Sequence, residues 1–239
     1  MKKRNLLFIP AIAILASSLC SAAVYNVKYL HSAGSAIPTS SLQGVLGSTG
    51  ETWNQANGSW TNLNDSAGNA STIDISGLSG GENGSPAGIF NQNSNQFSKG
   101  ANQTISISQL TPSGVYDIYI YALSHNASSW GTGAVSPFER AAGAFTTANV
   151  SGNGTSQPLD NGIAGTDADP FTAGSNYVLF QSIVADGTGN ISIVADALDA
   201  GASSTRLHVN GLQIVSVPET SSAALLGLGA FALILRRRK

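Results

Sequence analysis

Sulfur and charge are scarce in this chain of 239 residues. It contains one cysteine and one methionine, and 10% of its residues are charged, where soluble domains average about a quarter. The low content of Glu and Lys excludes a coiled coil, which depends on charged heptad positions. The few basic residues exclude nucleic-acid binding, because phosphate contacts need clusters of Lys and Arg. Hydrophobic residues still make up 42% of the chain, which is enough for a folded core.

The basic residues that are present concentrate at the two ends of the chain. Seven of the eleven lie in residues 2–4 and 236–239, so the stretch from Val24 to Val217 holds four basic and twelve acidic residues, a net charge of −8. An acidic body of this kind is repelled by phosphate backbones and by anionic lipid surfaces. We therefore expect no nucleic acid among its partners, whereas cations are attracted to it.

Residues 1–23 have the three-part order of a secretory signal peptide. A basic start at residues 2–4 precedes an apolar stretch from Leu6 to Leu15, and small residues follow, with Ser21 and Ala23 at positions −3 and −1 of a cleavage site. We predict export through the Sec translocon and cleavage after Ala23. Cleavage there removes Cys20, so the mature chain has no disulfide and no thiolate metal site. The alternative is a buried N-terminal helix, which the basic, apolar, small order disfavours.

Residues 217–239 form a second three-part segment. Val217 to Thr220 read Val-Pro-Glu-Thr, an apolar stretch runs from Ala223 to Leu235, and the chain ends with the basic residues Arg236, Arg237, Arg238 and Lys239. As a helix the apolar stretch would reach about 20 Å, which is short for a bilayer core of about 30 Å. The basic end stays cytoplasmic by the positive-inside rule. A short transmembrane helix after Pro218 fits a segment that is meant to be cut off.

This segment resembles the PEP-CTERM sorting signal of Gram-negative bacteria. The resemblance rests on Pro218-Glu219, on the apolar residues that include Leu225–Ala230, and on the basic end Arg236–Arg238. It implies that exosortase, a membrane-embedded transpeptidase-like enzyme, processes the chain at the inner membrane. It also implies a final location at the cell surface or in the extracellular matrix. The usual third residue of the motif is proline, and here Thr220 takes its place. A plain single-pass tail anchor is the alternative.

Between the two end segments, residues 24–216 predict one all-β domain. The apolar runs are short and bounded by Gly, Asn, Asp and Ser, and none shows ten residues of helical periodicity. The clearest strand is Val115–Leu123, whose two faces are both mostly apolar, as in a central strand covered on both sides. Further strands are predicted at Val24–Leu30, Thr72–Ser76, Thr104–Ser108, Ala141–Ala148, Tyr177–Ala185, Asn190–Ala195 and Arg206–Val217. Roughly eight to ten strands with long loops fit a single jelly-roll-type antiparallel β-sandwich.

Turn residues predict how some of these strands connect. Asp186-Gly187-Thr188-Gly189 indicates a hairpin between the strands on either side of it. Asn210-Gly211 indicates a bulge within one long final strand, with a type I′ turn as the alternative. The stretch Asn149–Gly174 is rich in Gly, Asn and Asp, and it predicts a long loop.

Three stretches of the body resemble galactose-binding-like and carbohydrate-module jelly rolls. They are Trp60–Gly68, Tyr116–Tyr119 and Val209–Ile214. These are strand and turn patterns, so the resemblance implies a fold more than a site. Proteins of this kind are often found ahead of such sorting tails, which makes extracellular polysaccharide the expected partner.

Trp130 is the predicted sugar-binding platform. Sugar binding usually joins an exposed aromatic ring to nearby polar groups, and Trp130 lies in a loop with Arg140 near in sequence. Trp53 and Trp60 are second choices. The alternative for each tryptophan is packing at the edge of the sandwich, because large aromatic residues dominate core energetics.

Asp160, Asp167 and Asp169 are the candidate ligands of a structural Ca²⁺. They lie in the predicted long loop among many glycine carbonyls, and Ca²⁺ favours about six to eight oxygen ligands. The three do not follow an ordered calcium-loop spacing, so solvated turn acids are the alternative. No other cofactor is predicted.

Gly77–Gly81 matches the G-x-S-x-G pattern of a nucleophile elbow, with Ser79 at its centre. An elbow needs a helix after the serine, and Glu82–Pro86 cannot easily open one. No pair of carboxylates for glycosidase chemistry can be recognised either. The sequence therefore predicts an exported, non-catalytic cell-surface or matrix protein associated with polysaccharide. A lectin-like carbohydrate-binding module is the alternative, and a secreted hydrolase is the least favoured reading.

Overall fold

Twelve β-strands run through the residues that a computed structural model of the chain describes. Those residues are 22–30, 36–56, 58–77, 89, 95–98, 102–122, 142–147, 156–160, 171–174, 176–197 and 206–218. The strands are β1 (Val24–Tyr29), β2 (Asn54–Ala56), β3 (Asp74–Ser76), β4 (Asn95–Ser98), β5 (Asn102–Ser108), β6 (Val115–Tyr121), β7 (Ala142–Thr147), β8 (Ser156–Asp160), β9 (Tyr177–Val184), β10 (Ile191–Ala197), β11 (Arg206–Val209) and β12 (Gly211–Ser216). The described ranges contain one 3₁₀ turn, Thr39–Ser41, and no α-helix, so the all-β prediction is confirmed.

Ten of these strands form two five-stranded sheets. Sheet A has the order β2-β1-β12-β6-β9, sheet B has the order β3-β5-β10-β7-β8, and β11 pairs separately with β4. Every strand pairing is antiparallel except that of β1 with β2. The chain passes directly from one of these two sheets to the other between β2 and β3, β5 and β6, β6 and β7, β8 and β9, and β9 and β10. Consecutive strands therefore often lie in different sheets, whereas β7 and β8 pair directly with each other in sheet B.

The inward faces of the two sheets share one hydrophobic core. Its buried side chains include Val27, Ile118, Ile120, Val178, Phe180, Leu212 and Ile214 from sheet A and Ile75, Ile105, Ile107, Phe145, Ile191 and Ile193 from sheet B. Most are β-branched or aromatic, which suits the pleated surface of a strand. Burial of this apolar area, at about 25 cal/mol per Å², is the main force that holds the sheets together. The two sheets thus pack face to face as a β-sandwich.

Strand β6 is an interior strand covered on both faces, as its sequence predicts. It lies between β12 and β9 in sheet A. Ile118 and Ile120 enter the main core, whereas Tyr121 on the other face enters a second cluster with Leu42 and Trp53. The other strand predictions near Val24, Thr72, Thr104 and Ala141 match β1, β3, β5 and β7 closely.

The predicted hairpin at Asp186–Gly189 is wrong, although the turn itself forms. Strand β9 pairs with β6 in sheet A, whereas β10 pairs with β5 and β7 in sheet B. The Asp186 carboxylate accepts hydrogen bonds from the backbone N–H groups of Thr188 and Asn190, both at 2.9 Å. These local bonds reverse the chain, but the strands that leave the turn bury their side chains from opposite layers of the sandwich.

The prediction of a single long final strand is also wrong, because the chain changes sheets at Asn210. β11 pairs with β4, and β12 joins sheet A between β1 and β6. The Asn210 N–H donates to the Tyr121 carbonyl at 2.8 Å, and its own carbonyl accepts from the Tyr29 N–H at 3.0 Å. A Cβ on Gly211 would collide with the Val27 carbonyl oxygen, so glycine permits the close approach of β1.

Part of the predicted loop Asn149–Gly174 is a strand. β8 (Ser156–Asp160) pairs antiparallel with β7, and Ala144 lies opposite Pro158. Proline cannot donate to a sheet ladder, but β8 is the outermost strand of sheet B, where this is tolerated. β2 and β4 were not predicted either, because their polar sequences lack apolar alternation.

The predicted end segments fall almost wholly outside the described residues. Ala22, Ala23, Val217 and Pro218 are described, and Ala22–Val217 groups as one compact unit. Within the described ranges, no helix has the length and apolar character needed to cross a bilayer.

Replacing Gly189 with alanine should destabilise the sandwich by about 2 kcal/mol or more. Gly189 has φ +79°, and a Cβ there would collide with the Leu110 carbonyl oxygen. Gly187→Ala is the matched control in the same turn, since no atom lies within 4 Å of its Cβ position. Its effect should stay within about 0.5 kcal/mol. Urea denaturation followed by tryptophan fluorescence measures both, and equal midpoints for the two variants would contradict the fold described here.

Candidate functional site

A cluster of aromatic side chains lies on the face of sheet A that points away from sheet B. Tyr119 and Tyr121 alternate along β6 with the inward Ile118 and Ile120, and Tyr177 of β9 lies opposite Tyr121. Phe171, just before β9, joins them. We call Tyr119, Phe171 and Tyr177, together with the Tyr121 ring beneath them, the aromatic surface.

The rings of the aromatic surface are in mutual contact. Tyr121 lies 5.6 Å from Phe171 and 6.2 Å from Tyr177, between ring centroids, and Tyr119 lies 6.1 Å from Tyr177. These separations fall in the range of favourable aromatic pairs, about 4.5–7 Å. Tyr121 is fully buried, whereas the other three are half-buried and reach solvent. The cluster therefore has a packed base and an accessible rim.

A tight turn holds Phe171 beside Tyr177. The Thr172 N–H donates to the Asn176 side-chain oxygen at 2.8 Å, and the Asn176 N–H donates to the Thr172 carbonyl at 3.1 Å. Gly174 closes the turn at φ +76°, and its N–H donates to the Tyr177 carbonyl at 2.8 Å. Local hydrogen bonding, rather than ring contact alone, thus fixes the edge of the aromatic surface.

Residues 36–53, which we call the covering segment, lie over the neighbouring part of the same face. Ile37, Leu42 and Trp53 pack there in the second cluster with Tyr121, and Val45 borders it. Gln55 anchors the start of the segment through two bonds of 2.7 Å to the backbone of Ile37. The covering segment therefore shields the part of the face formed by β1 and β12 and stops beside the aromatic surface.

Gln213 of β12 connects the covering segment to the sheet. Its Oε1 accepts from the Tyr121 hydroxyl and from the Leu46 N–H, the latter at 3.2 Å. Its Nε2 donates to Asn26 Oδ1 at 2.7 Å and to the Leu46 carbonyl at 2.9 Å. The buried carboxamide thus uses both its donors and both its acceptor sites. A Cβ on Gly44 would collide with this carboxamide, which explains the glycine.

Glu51 extends this polar network to the surface. Its carboxylate accepts from Asn26 Nδ2 at 3.3 Å and from the Ser48 N–H at 3.0 Å. On the next row of the sheet, the buried Lys28 Nζ donates to the Asn210 carbonyl at 3.1 Å. The strand register places Lys28 in the same row as Tyr121, with Gly211 between them.

Among the residues that the structure describes, Asp117 places a carboxylate beside Tyr119 of the aromatic surface. Burial raises the pKa of the Tyr119 hydroxyl above its usual value, and the nearby Asp117 carboxylate and Tyr177 raise it further. Burial raises the pKa of Tyr121 as well. Asp117 is held in place because its Oδ1 accepts from the Ser182 N–H at 2.7 Å. Tyr119 and Tyr121 therefore stay protonated near neutral pH.

Exposed tyrosine rings beside a fixed carboxylate can bind an uncharged sugar. The ring faces offer apolar area to the C–H side of a pyranose, and the phenol and carboxylate oxygens can bond its hydroxyls.

Most of the predicted site residues lie outside the described residues. These are Trp130, Arg140, Asp167, Asp169, Glu219 and Arg236 to Arg238, together with Ser79. Asp160 is the last residue of β8 and so lies in a strand of sheet B. Among the residues that the structure describes, no group of three or more His, Cys, Asp or Glu could hold a metal ion.

Trp53 and Trp60 are not platforms. They are 5% and 8% exposed, and both pack in hydrophobic clusters. Trp60 makes an edge-on contact with Tyr29, with 4.8 Å between ring centroids. The alternative reading for these two tryptophans, packing within the sandwich, is therefore correct.

The first glycine of the G-x-S-x-G pattern has a structural role. Gly77 follows β3 with φ +103°, and a Cβ there would collide with the Thr104 carbonyl oxygen of β5. Strand pairing therefore explains why glycine is needed at this position, with no reference to a nucleophile.

The sequence analysis missed the aromatic surface, although its signal was present. The stretch Tyr119-Ile120-Tyr121 consists of apolar and aromatic residues, which predicts burial on both faces of the strand. Tyrosine carries a polar end, and two tyrosines spaced by two residues on one strand face are typical of a surface that is partly wet.

Comparisons with known proteins give few relatives for this chain. No family model matches it, and no curated protein matches it. Among solved structures, it is similar to the CBM36-1 domain of a multidomain xylanase from the hindgut metagenome of Trinervitermes trinervoides, with 13% identity, a TM-score of 0.28, and coverage of 61% of this chain and 99% of that one. It is also similar to TmCBM61, solved in complex with β-1,4-galactotriose, with 14% identity, a TM-score of 0.23, and coverage of 52% of this chain and 67% of that one. Likenesses of this size carry no argument about the activity of this chain.

Gln213→Leu should destabilise the fold by about 3 kcal/mol, because it leaves the partners of the carboxamide buried and unpaired. Gln181→Leu is the matched control, since Gln181 is exposed on β9. Its effect should lie within about 0.5 kcal/mol. Chemical denaturation compares the two variants, and a Gln213→Leu protein as stable as the control would show that the network contributes nothing to stability.

Proposed function

We propose that this chain is an exported, non-catalytic protein of the cell surface or extracellular matrix that associates with polysaccharide. The order of basic, apolar and small residues in 1–23 supports export by the Sec translocon. The order of motif, apolar stretch and basic end in 217–239 supports sorting through a PEP-CTERM-like signal, with exosortase as the processing partner at the inner membrane.

The strand boundaries agree with processing at both ends. β1 begins at Val24, directly after the proposed cleavage at Ala23, and β12 ends at Ser216, two residues before Pro218. Cuts at these places leave every strand of the sandwich whole. We take residues 24–216 to be a jelly roll, because consecutive strands repeatedly change sheets.

The aromatic surface is the observation that carries the polysaccharide part of the proposal. Tyr119, Phe171 and Tyr177 present three half-buried rings beside the Asp117 carboxylate, on a base that the buried Tyr121 makes rigid. Exported proteins meet neutral glycans in quantity, and stacking of rings on sugars is weak per site but adds up along a polymer. A lectin-like module that uses Trp130, Arg140 and Ca²⁺ at Asp160, Asp167 and Asp169 remains the second candidate.

The mature protein should begin at Val24 and should lack every peptide beyond about Val217. Both cuts follow from the proposed signals at the two ends of the chain. Mass spectrometry of protein isolated from the native host measures both termini. Recovery of mature protein that still carries Arg236 to Lys239 would count against exosortase processing and in favour of a tail anchor.

Tyr119→Ala and Tyr177→Ala should each weaken glycan binding about tenfold or more, because each removes a ring from the aromatic surface. Tyr119→Phe keeps the ring and should bind nearly as well, and Gln181→Ala, on the exposed part of β9, should not change binding. An array of neutral and acidic glycans, probed with and without Ca²⁺, provides the measurement. Binding that needs Ca²⁺ and survives Tyr119→Ala would support the lectin-like alternative, and an array with no bound glycan would refute both.

A further inference from the structure

The two ends of the folded domain lie side by side. β1 and β12 are antiparallel neighbours, and Val24 at the start of β1 lies opposite Val215 near the end of β12. Just before β1, the Ala23 N–H donates to Ser216 Oγ at 2.8 Å, and the Ser216 N–H donates to the Ala23 carbonyl at 2.9 Å. Residues that are 193 positions apart in the chain are therefore directly bonded.

The end of β12 is held from both sides. On the side opposite Ala23, the Val217 N–H donates to the Val115 carbonyl of β6 at 2.9 Å. Pro218 comes next, is exposed, and has no N–H to donate to a sheet. The Pro218-Glu219 motif therefore starts at the residue where the chain leaves the sheet, with no spacer between them.

Cleavage of the chain beside Pro218-Glu219 needs the end of β12 to open. A protease binds its substrate as an extended segment with free backbone groups on both sides of the cut, so hydrogen-bonded residues are poor substrates until they fray. Ser216 and Val217 would have to leave the sheet, and in the uncut precursor this breaks the bonds to Ala23 and to Val115.

We propose that Ala23 clamps the end of β12, so that efficient release of the C-terminal segment requires prior removal of the N-terminal one. The inference rests on the proposed export and sorting of the chain. Cleavage after Ala23 detaches this residue from the domain, which removes both of its bonds to Ser216 and leaves the Val217 bond in place. Removal of the signal peptide thereby makes the end of β12 easier to open, and a precursor with an uncut signal peptide is released slowly.

The test uses the full-length precursor in detergent, before and after treatment with signal peptidase. Two readouts are followed by mass spectrometry: amide hydrogen exchange in the peptide that contains Ser216 and Val217, and cleavage after Glu219 by a glutamyl endopeptidase. Both should become about tenfold faster once Ala23 is detached, because two hydrogen bonds of ordinary strength are lost. Exchange at Ile118 and Ile120 should not change, since β6 keeps its neighbours.

Two variants separate the clamp from other effects of the cut. In the uncut precursor, Ser216→Ala removes the acceptor of the Ala23 N–H and should speed both readouts a few-fold, whereas Ser216→Thr keeps the hydroxyl and should match the parent chain. Equal rates in all forms would overturn the inference. A failure of the proposed function gives a different pattern: the signal peptidase does not cut after Ala23, or cells retain residues 219–239, while the two Ser216 variants still differ in the uncut chain.

Discussion

The pairing of the first strand with the last is the constraint on which the rest of sheet A depends. The register of β1 with β12 places Val27 and Leu212 in the shared core and turns Asn26 and Gln213 to the opposite face. β12 also pairs with β6, and β6 pairs with β9, so the contact between β1 and β12 joins β1 and β2 to the rest of sheet A. Such a long-range pairing is slow to form, because the cost of closing the whole chain must be met first.

The outer face of sheet A has two parts that differ in what covers them. Gln213 and Asn26 are buried there because the covering segment supplies Leu46 backbone groups and the Glu51 carboxylate as partners. A buried carboxamide without such partners would destabilise the fold. Toward β9 the covering segment ends, and the same face changes to tyrosine and phenylalanine, which tolerate partial exposure. The half-buried rings of the aromatic surface therefore lie beyond the residues to which the covering segment gives polar partners.

The sequence predicts those strands in which the spacing of apolar residues itself shows which side chains are buried. Ile105 and Ile107 of β5 or Ile118 and Ile120 of β6 need no knowledge of their neighbours to be assigned to the core. β8 escapes prediction because Pro158 is acceptable only in an outermost strand, and the position of a strand in its sheet is not a local property. The covering segment escapes for the same reason, since its burial depends on a glutamine 167 residues away. The same contrast applies to the aromatic surface. The spacing of Tyr119 and Tyr121 can be recognised in the sequence, but the exposure of their rings depends on neighbouring elements.

Two turns with the same chemistry show where local prediction ends. Each turn begins with an aspartate whose carboxylate accepts hydrogen bonds from the backbone N–H groups two and four residues later. The two turns are Asp65-Ser66-Ala67-Gly68-Asn69 and Asp186-Gly187-Thr188-Gly189-Asn190. The Asn69 side chain and the backbone N–H groups lower the pKa of Asp65, and the Asn190 N–H and the Thr188 hydroxyl lower that of Asp186, so each turn is complete at neutral pH. Yet the residues flanking the first turn pair with each other, as Asn64 does with Ala70, whereas the strands flanking the second enter different sheets.

The difference between these turns lies in the strands that flank them. On either side of the second turn, Ile183 and Ile191 are both fully buried, and each takes its place in the core from its own sheet. Pairing the two strands as a hairpin would place them in one layer and leave the opposite layer without β9 or β10. Turn chemistry therefore decides that the chain reverses, and the burial required of both strands decides which sheet each one joins.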